Sequence, residues 1–376
     1  MRGRAAGTYL SYLLLGGCLA GIGLWKAMPV HGASAGAPGG WNRRTAALYL
    51  DEREVWWQAW PKAQRDHGTI CISCHTVVPY AMVRQGLQQD LGESGMATPE
   101  RIMMDNVEKR VSHWSDMDSF YSDAKSGAGK TVESHATEAV LNAVILASFD
   151  TRQGHLRPIT RTAFDEAWAL QEQTGGLAGA WKWQDFHLAP WESAESGYQG
   201  AALLMVQAVN APDGYAREPV AHAHLDRLRD YLRKQYAAQP MLNQLYVLWA
   251  SAKEPGLLSP AERSALLGAV RSKQQADGGW RTSALDKTDR SDHSPEPMES
   301  DGYATGLAVL ALGESGTSRG DASLKRGLGW LAANQEKDGA WSAVSINKKR
   351  DPGSDANLFM RDAATAYAVL ALERAK

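Results

Sequence analysis

The chain has 376 residues, 44% of them hydrophobic, and a formal net charge of −2 at pH 7. This length supplies enough apolar side chains for one large domain or two, and the near-neutral charge gives no basis for expecting a nucleic-acid partner. The chain contains only 3 cysteines, which excludes a disulfide framework. Tryptophan is unusually frequent, with 14 residues against 5 phenylalanines, and this excess suggests a tryptophan position that is repeated along the chain.

The N-terminus has the pattern of an export signal. Arg2 and Arg4 precede an apolar stretch over residues 9–25, and the small residues 33–35 offer a cleavage site. Residues 1–35 are therefore predicted to be a signal peptide or a membrane anchor, and the length of the stretch leaves both open. Few basic residues follow the stretch, so we expect the bulk of the chain to lie outside the cytoplasm, in the periplasm, either exported freely or anchored to the inner membrane.

Cys71, Cys74 and His75 form a C-x-x-C-H run, the attachment signature of c-type haem. Two thiols three residues apart can each bond to a vinyl group at one porphyrin edge, and the following histidine can bind the iron. We therefore expect one covalent haem c, with Cys71 and Cys74 as anchors and His75 as the proximal iron ligand. A zinc site and a chance occurrence are the alternatives. Structural zinc usually needs a second Cys or His pair, and no second cysteine pair exists here.

The rest of the chain alternates two kinds of helix-length segment. Small, almost continuously apolar segments, which are typical of buried helices, alternate with more polar ones. The apolar segments cover residues 136–147, 198–206, 241–252, 303–312 and 364–372, and the polar ones cover residues 48–64, 107–121, 225–236, 260–273 and 323–334. We therefore predict an all-α protein of about six helical hairpins between residues 46 and 372, with the haem motif in the first hairpin.

A motif recurs in the C-terminal half. Residues 274–280 read QQADGGW and residues 335–341 read QEKDGAW, an offset of 61 residues, and a weaker copy ends at residues 179–181. Each copy follows a predicted helix and precedes a polar loop and a small-residue helix. This pattern resembles the QW repeat of squalene–hopene and related terpenoid cyclases, and it is similar to the repeats of protein prenyltransferase β subunits.

The resemblance implies an α/α toroid, a fold of two concentric rings of helices. It also implies that Gln274 and Gln335 tie helix ends together while Trp280 and Trp341 stack over them. Residues 41–150 would then be a haem-c-bearing segment made of the first toroid hairpins, and residues 151–376 would carry the QW-type repeats. A shared fold does not bring its relatives' activity with it.

Terpene chemistry is not expected. Squalene-type cyclases protonate an alkene with an Asp-x-Asp-Asp motif, and the nearest match, residues 116–119, lacks the third carboxylate. No Asp-Asp-x-x-Asp run for magnesium diphosphate is present, and no free thiol remains for the zinc of a prenyltransferase. The chain is therefore predicted to be an electron carrier rather than a cyclase.

The sixth coordination position of the iron has several candidate ligands, because methionine and histidine are both common there. His187 is preferred, since it follows the turn of the third hairpin, and turns of a toroid share one face. Tryptophans near it could wall the haem. The remaining candidates are Met96, Met103, Met104, Met117, His113 and His135, and a vacant or water-bound position stays open.

These predictions together favour an exported mono-haem c-type cytochrome that transfers electrons with a periplasmic or membrane redox partner. One alternative is a haem-dependent oxidase or sensor that binds a small apolar, terpenoid-like ligand in the toroid cavity. A second alternative is a structural accessory subunit of a redox complex.

Overall fold

The computed structural model describes residues 40–286 and 289–375, and these residues form fourteen α-helices. The helices are α1 (Arg43–Ala59), α2 (Val77–Leu91), α3 (Thr98–Ser112), α4 (Asp123–Ser126), α5 (Lys130–Gln153), α6 (Pro158–Ala169), α7 (Ser196–Asn210), α8 (Pro219–Gln235), α9 (Met241–Ala250), α10 (Pro260–Ser272), α11 (Thr282–Leu285), α12 (Gly302–Glu314), α13 (Ala322–Ala333) and α14 (Asp355–Arg374). Over the same residues, β-structure is limited to two isolated bridges.

The predicted signal peptide or anchor at residues 1–35 lies outside the described residues. Among the helices that are described, none combines the length and the apolar character that a membrane span requires.

Six helices form a closed inner ring. Helices α2, α5, α7, α9, α12 and α14 contact one another in that order, and α14 contacts α2 to close the ring. These helices are rich in alanine, valine and leucine, and they are buried on nearly all sides; in α12, every residue from Gly302 to Leu312 is buried. Small side chains on all faces let each helix pack closely against two neighbours at once, which is what an inner ring requires.

Six amphipathic helices lie outside this ring, and each precedes its inner partner in the chain. The hairpins are α1–α2, α3–α5, α6–α7, α8–α9, α10–α12 and α13–α14, with α4 and α11 as single turns in the connections. In α10, for example, only Leu266 and Val270 are buried. The all-α fold and the arrangement in two rings of six hairpins are therefore confirmed.

The repeated glutamines join successive hairpins. Gln274 Nε2 donates to the carbonyl oxygen of Ser323 (2.8 Å) at the start of α13. Gln335 Nε2 donates to the carbonyl oxygen of Asn42 (3.0 Å), and its Oε1 accepts from the Asn42 amide (2.6 Å). Because Asn42 caps the N-terminus of α1, the last glutamine joins the C-terminal repeat to the first hairpin and so closes the outer ring.

The repeated tryptophans fasten each turn to the helix before it. Trp280 and Trp341 are fully buried. Their indole N–H groups donate to the carbonyl oxygens of Val270 and Leu331, both at 2.8 Å, near the ends of α10 and α13. Each tryptophan thereby satisfies a helix-end carbonyl while it fills a gap in the core.

The weaker third copy makes the same contacts. Gln171 Nε2 donates to the carbonyl oxygen of His224 (3.1 Å) in α8. Trp181 donates to the carbonyl oxygen of Ala167 (2.6 Å) at the end of α6. The repeat therefore extends into a part of the chain where its sequence signal is faint.

Two predicted boundaries differ from the structure. The helix predicted at residues 107–121 is α3, which begins at Thr98 and ends at Ser112, because Pro99 suits a first helical turn and the chain turns after His113. The predicted division at residue 150 falls inside α5. Helix α14 begins well before its apolar core, and its first turns face a cavity described below.

The glycine of the last repeat permits a close approach that should be essential to ring closure. Gly339 has φ +96°, and a Cβ there would lie 2.2 Å from the backbone C and O atoms of Thr45 in α1. Gly339→Ala is expected to lower the free energy of unfolding by about 2–5 kcal/mol, since it adds steric overlap to backbone strain. Urea unfolding followed by circular dichroism measures this loss.

Gly154→Ala is the matched control for that variant. Gly154 also has a left-handed backbone (φ +78°), but nothing lies within 4 Å of its Cβ position. Gly154→Ala should lower the free energy of unfolding by about 1 kcal/mol, because of backbone strain alone. Equal losses in the two variants would show that the contact with Thr45 does not matter for closure.

Candidate functional site

The C-x-x-C-H run lies in the connection between α1 and α2, and hydrogen bonds fix the backbone at and just before its first cysteine. The indole of Trp57 donates to the carbonyl oxygen of Cys71 (2.7 Å), and the Cys71 amide donates to the carbonyl oxygen of Ala63 (2.8 Å). The Asn106 side chain pairs with both the amide (2.7 Å) and the carbonyl (2.9 Å) of Ile70. The motif therefore has a fixed backbone.

The three predicted haem residues, Cys71, Cys74 and His75, line one cavity of about 190 Å³. The other side chains of its wall come from the connections that lead from outer to inner helices, from the last turn of α1, and from the N-terminal halves of α5 and α14. They include the aromatic residues Trp57, Trp60, Phe120, Tyr121, Trp191 and Phe359 and the polar residues Gln184, Glu192, Ser345, Asn347 and Arg350. Outer-to-inner connections of a ring of hairpins meet at one end, so the cavity opens where these loops converge.

The imidazole of His75 is oriented through a chain of hydrogen bonds. Its Nδ1 lies 2.9 Å from Thr76 Oγ1, which donates its own proton to Asp362 Oδ2 (2.8 Å). Asp362 also accepts two bonds from Arg53 (2.7 and 3.1 Å) and one from Tyr49 (2.9 Å). Because the Thr76 hydroxyl is already a donor, Nδ1 carries the proton of the imidazole. The lone pair of Nε2 is then free to bind a metal.

Aromatic side chains surround that imidazole. Phe359 stacks on it with ring centroids 3.9 Å apart, and Trp57 and Trp191 lie at 5.3 and 5.7 Å. Burial, helped by the charge of Arg53, lowers the pKa of His75 to about 3. The ring is therefore neutral at physiological pH, the state in which histidine binds metals.

The two thiols are also kept neutral. Burial raises the pKa of Cys71 to about 12, and burial raises the pKa of Cys74 well above its usual range. Zinc binds thiolates, and a structural zinc site would bring further Cys or His ligands to this pair. In residues 40–286 and 289–375, the one cluster able to supply three metal ligands contains neither cysteine. The structure thus offers no support for the zinc alternative.

His187 does not reach the cavity. Its side chain is 92% exposed and pairs with Asp185 (Nδ1–Oδ1 3.2 Å). Asp185 Oδ1 also accepts from the His187 amide (2.8 Å), and this tight turn, with His187 at φ +58°, directs the imidazole outward. The next residues, Leu188 and Ala189, do line the cavity. As a distal ligand, His187 would need its loop to rearrange.

The other predicted distal ligands also lie away from the cavity wall. Met103 and Met104 are buried along α3, Met117 is buried beside Thr69, and Met96 is exposed. The two histidines do not line the wall either: His135 stacks on Trp114 with ring centroids 4.1 Å apart, and His113 stacks on His67 at 5.3 Å.

Met360 and Arg350 are among the wall residues that the sequence reasoning missed. Met360, on α14, is buried and lines the cavity, and Arg350 lies in the wall with its Nε 3.3 Å from Ser345 Oγ. Met360 falls just outside the Ala-rich core of its helix, so its periodicity gave no signal. Arg350 belongs to a long polar loop, where nothing in the sequence distinguishes inward from outward side chains.

Glu192 is the carboxyl group of the wall. It follows Trp191 in a short loop in which its backbone forms a bridge with Leu188 (2.8 Å in each direction). Burial alone raises the pKa of Glu192 from 4.5 to about 7. The side chain can therefore hold or release a proton near neutral pH.

Comparisons with known proteins concern the fold. Residues 249–374 match the family described as squalene-hopene cyclase C-terminal domain, which confirms the predicted resemblance for that part of the chain. Solved structures of two glycosidase variants align with TM-scores of 0.50, at 13% and 14% identity, over 88% of this chain and 97% of theirs. Among curated proteins, no match is found. At such identities the likeness to the glycosidases shows the α/α toroid alone.

The raised pKa of Glu192 predicts a pH-dependent stability. Between pH 4.5 and about 7, the folded chain keeps a proton on Glu192 that the unfolded chain has released, so this contribution to stability is present at low pH and is lost as the pH rises through about 7. Glu192→Gln should match the wild type at pH 4.5 and exceed its free energy of unfolding by about 2–3 kcal/mol at pH 8. Urea titrations at both pH values test this.

Glu195→Gln, which changes an exposed carboxylate three residues away, is the control and should have little effect at either pH. A stability difference between Glu192→Gln and wild type that does not vary with pH would contradict the burial of Glu192.

Proposed function

We propose that this chain is an exported mono-haem c-type cytochrome built on an α/α toroid, and that it transfers electrons with a periplasmic or membrane redox partner. Cys71 and Cys74 would anchor the haem, and His75 would bind its iron. Export rests on residues 1–35 of the sequence, which carry the signal-peptide or anchor pattern.

One observation carries the proposal. The C-x-x-C-H run could have fallen on the outer surface of the toroid, but all three of its chemical groups face the same aromatic-walled cavity. A large planar apolar group needs such a wall, and covalent attachment needs both sulfurs on one side of it. A chance occurrence of the motif gives no reason for this placement.

The second support is the state of His75. A proximal histidine needs a neutral ring, a proton on one nitrogen, and a partner that fixes its orientation. Thr76 and Asp362 provide the partner through bonds of 2.9 and 2.8 Å, and burial keeps the ring neutral. Among metal-binding proteins, such outer contacts raise the basicity of the ligand and tune the metal.

A bound haem c would supply reversible one-electron chemistry at its iron. The chain's own contribution is to bury the group and to balance its charge. Among the described residues, the wall holds one cationic side chain, Arg350, which is suited to bind the carboxylates of a porphyrin.

Aromatic contacts extend from His75 toward the surface and offer a route for the electron. Phe359 stacks on His75, and Trp60 lies 6.0 Å from Phe359. Trp56 stacks on Trp60 at 5.1 Å, and both tryptophans are half-buried. The exposed Lys62 lies over Trp60 at 5.7 Å. This partly apolar surface with a cation at its edge suits transient contact with a redox protein.

The cavity is poorly suited to glycoside hydrolysis, although glycosidases share the fold. That reaction usually needs two carboxyl groups on either side of the scissile bond. Within the described part of the chain, the cavity wall contains one, Glu192.

Covalent haem attachment is the decisive test. Expression with a haem-maturation system should yield a chain that stains for haem on a denaturing gel. The double variant Cys71→Ser/Cys74→Ser should not stain, because both thioether bonds are lost. Cys18→Ser, the matched control for the third thiol, should stain like the wild type. A folded wild-type chain that never stains would overturn the proposal.

A second function is favoured by Glu192 and by the absence of His187 from the wall. If no wall residue such as Met360 bound the iron of a haem held there, a cavity with a titratable carboxyl group would suit binding and oxidation or sensing of a small apolar molecule. This would be a haem-dependent oxidase or sensor rather than a carrier.

Carbon monoxide separates these two functions. Electron transfer predicts a reduced protein whose absorption spectrum is unchanged by carbon monoxide, because both axial positions are filled. Ligand chemistry predicts a rapid spectral change, and in that case Glu192→Gln should alter the stretching frequency of the bound gas. Asp185→Asn, which frees His187 from its present pairing, is a control for movement of that loop.

A further inference from the structure

Two histidines and an aspartate meet on the surface beside the haem motif, on segments that are distant in sequence. His67 lies in a short 3-10 turn four residues before Cys71, His113 ends α3, and Asp116 lies in the turn that follows α3. One ligand atom from each lies within 4.8 Å of the other two. All three side chains are open to solvent, being 36%, 44% and 58% exposed.

The spacing of these atoms is close to that of a metal's coordination shell. His67 Nε2 lies 3.9 Å from Asp116 Oδ2, and His113 Nδ1 lies 3.5 Å from Asp116 Oδ1. In a tetrahedral zinc site with bonds of about 2.0–2.2 Å, neighbouring ligand atoms are about 3.3–3.6 Å apart. Metal binding would require the exposed side chains to rotate to those distances and His67 Nε2 to leave the carbonyl oxygen of Asp116, which lies 3.2 Å from it.

The backbone holds His67 in an unusual conformation that presents its ring to this cluster. His67 has φ +53°, a left-handed conformation that a histidine adopts at some cost. Its carbonyl oxygen accepts a hydrogen bond from Lys109 on α3, and its Nε2 lies 3.2 Å from the carbonyl oxygen of Asp116. Strain of this kind is retained where the surroundings fix it, and it often marks a binding site.

Nearby charges leave the cluster able to accept a cation. Lys109 and Arg110 are close, but Asp66 lies near both Arg110 and His67, with its Oδ1 3.6 Å from Arg110 and its Oδ2 3.7 Å from His67 Nε2. The Oδ1 atom of Asp66 is buried and has no hydrogen-bond partner among the described residues. Asp66 and Asp116 together offset the two cations.

We propose that His67, His113 and Asp116 form a binding site for a divalent transition metal, of which zinc is the test case. Two imidazole nitrogens and one carboxylate suit zinc, copper and nickel, and they do not suit calcium or magnesium, which prefer oxygen ligands. The fourth position would be taken by water or by Asp66. The site is distinct from the cavity and does not involve Cys71, Cys74 or His75.

Because the site lies between two separate segments, a bound metal would stabilise the local structure. His67 belongs to the loop that leads into the haem motif, whereas His113 and Asp116 belong to the end of α3 and its turn. A metal bound by all three would join these segments and oppose unfolding of the loop before Cys71. Because the unfolded chain does not bring the ligands together, metal binding should stabilise the folded state.

The simpler interpretation is that these side chains only pair with one another. His67 stacks on His113, and each histidine lies near an aspartate. The two interpretations differ in a measurable way, since pairing alone gives no specific affinity for zinc.

Zinc binding can be measured on the full, tag-free chain after removal of metals with a chelator. Isothermal titration with ZnCl₂ at pH 7.5 should give one site per chain, and zinc should raise the thermal unfolding midpoint. His67→Asn and His113→Gln should each weaken binding at least 10-fold. Asparagine is chosen at position 67 because it tolerates the left-handed backbone.

His222→Asn is the matched control. His222 is an exposed histidine that pairs with Asp226 at 3.1 Å on α8, and among the described residues it belongs to no cluster of three metal-ligating side chains. Its loss should leave the zinc affinity unchanged. Copper gives an independent readout, since two nitrogen ligands should appear in the electron paramagnetic resonance spectrum of the Cu²⁺ form and one should disappear in His113→Gln.

The variant Cys71→Ser/Cys74→Ser should bind zinc as the wild type does, which separates this inference from the haem proposal. Equal zinc affinities in wild type, His67→Asn and His113→Gln would overturn the inference. A wild type that binds zinc no more tightly than the triple variant His67→Asn/His113→Gln/Asp116→Asn would overturn it as well.

Discussion

The buried carboxylate of Asp362 links the two ends of the ring and orients the candidate site. It lies on the last inner helix, α14, and accepts hydrogen bonds from Arg53 and Tyr49 on α1 and from Thr76 at the start of α2. Replacing a buried ion pair with apolar side chains is often neutral, but loss of one partner costs about 3–5 kcal/mol because the other charge stays buried. Asp362 therefore contributes to the specificity of the fold, since one arrangement of α14 against the α1–α2 hairpin satisfies all of the hydrogen-bond partners of Asp362.

The same carboxylate connects fold and function. Thr76 donates to Asp362, so its hydroxyl oxygen accepts a hydrogen bond from His75 Nδ1–H, and the contact that closes the ring also selects the tautomer of the imidazole. The hydrogen bonds between Gln335 and Asn42 close the ring at the outer helices, whereas the hydrogen bonds of Asp362 close it nearer the cavity. A change in the packing of α14 would thus be transmitted to His75 through two hydrogen bonds.

Local sequence patterns were enough to predict the helices and the repeat, and long-range geometry was needed for the cavity wall. The Gln–Trp repeat predicted hairpins because its contacts are formed between neighbours in the chain, and Trp280 and Trp341 bond as the repeat implies. His187 and Leu188 show the limit. They are adjacent, yet one faces solvent and the other the cavity, and this depends on a single left-handed residue and its bond to Asp185.

Burial opposes the charged form of most titratable groups in the cavity wall. Burial raises the pKa of Cys71 and of Glu192 and lowers that of His75, and among the described residues Arg350 is then the cation of the wall at neutral pH. With so few counter-charges, a new unit charge in the cavity would be weakly screened. Two charges about 10 Å apart interact by about 1.7 kcal/mol at an effective dielectric constant of about 20, which is roughly one pK unit. Since the pKa of Glu192 is already about 7, a group that gained or lost an electron beside His75 would shift the protonation of Glu192 within the physiological range, and electron and proton uptake would be linked.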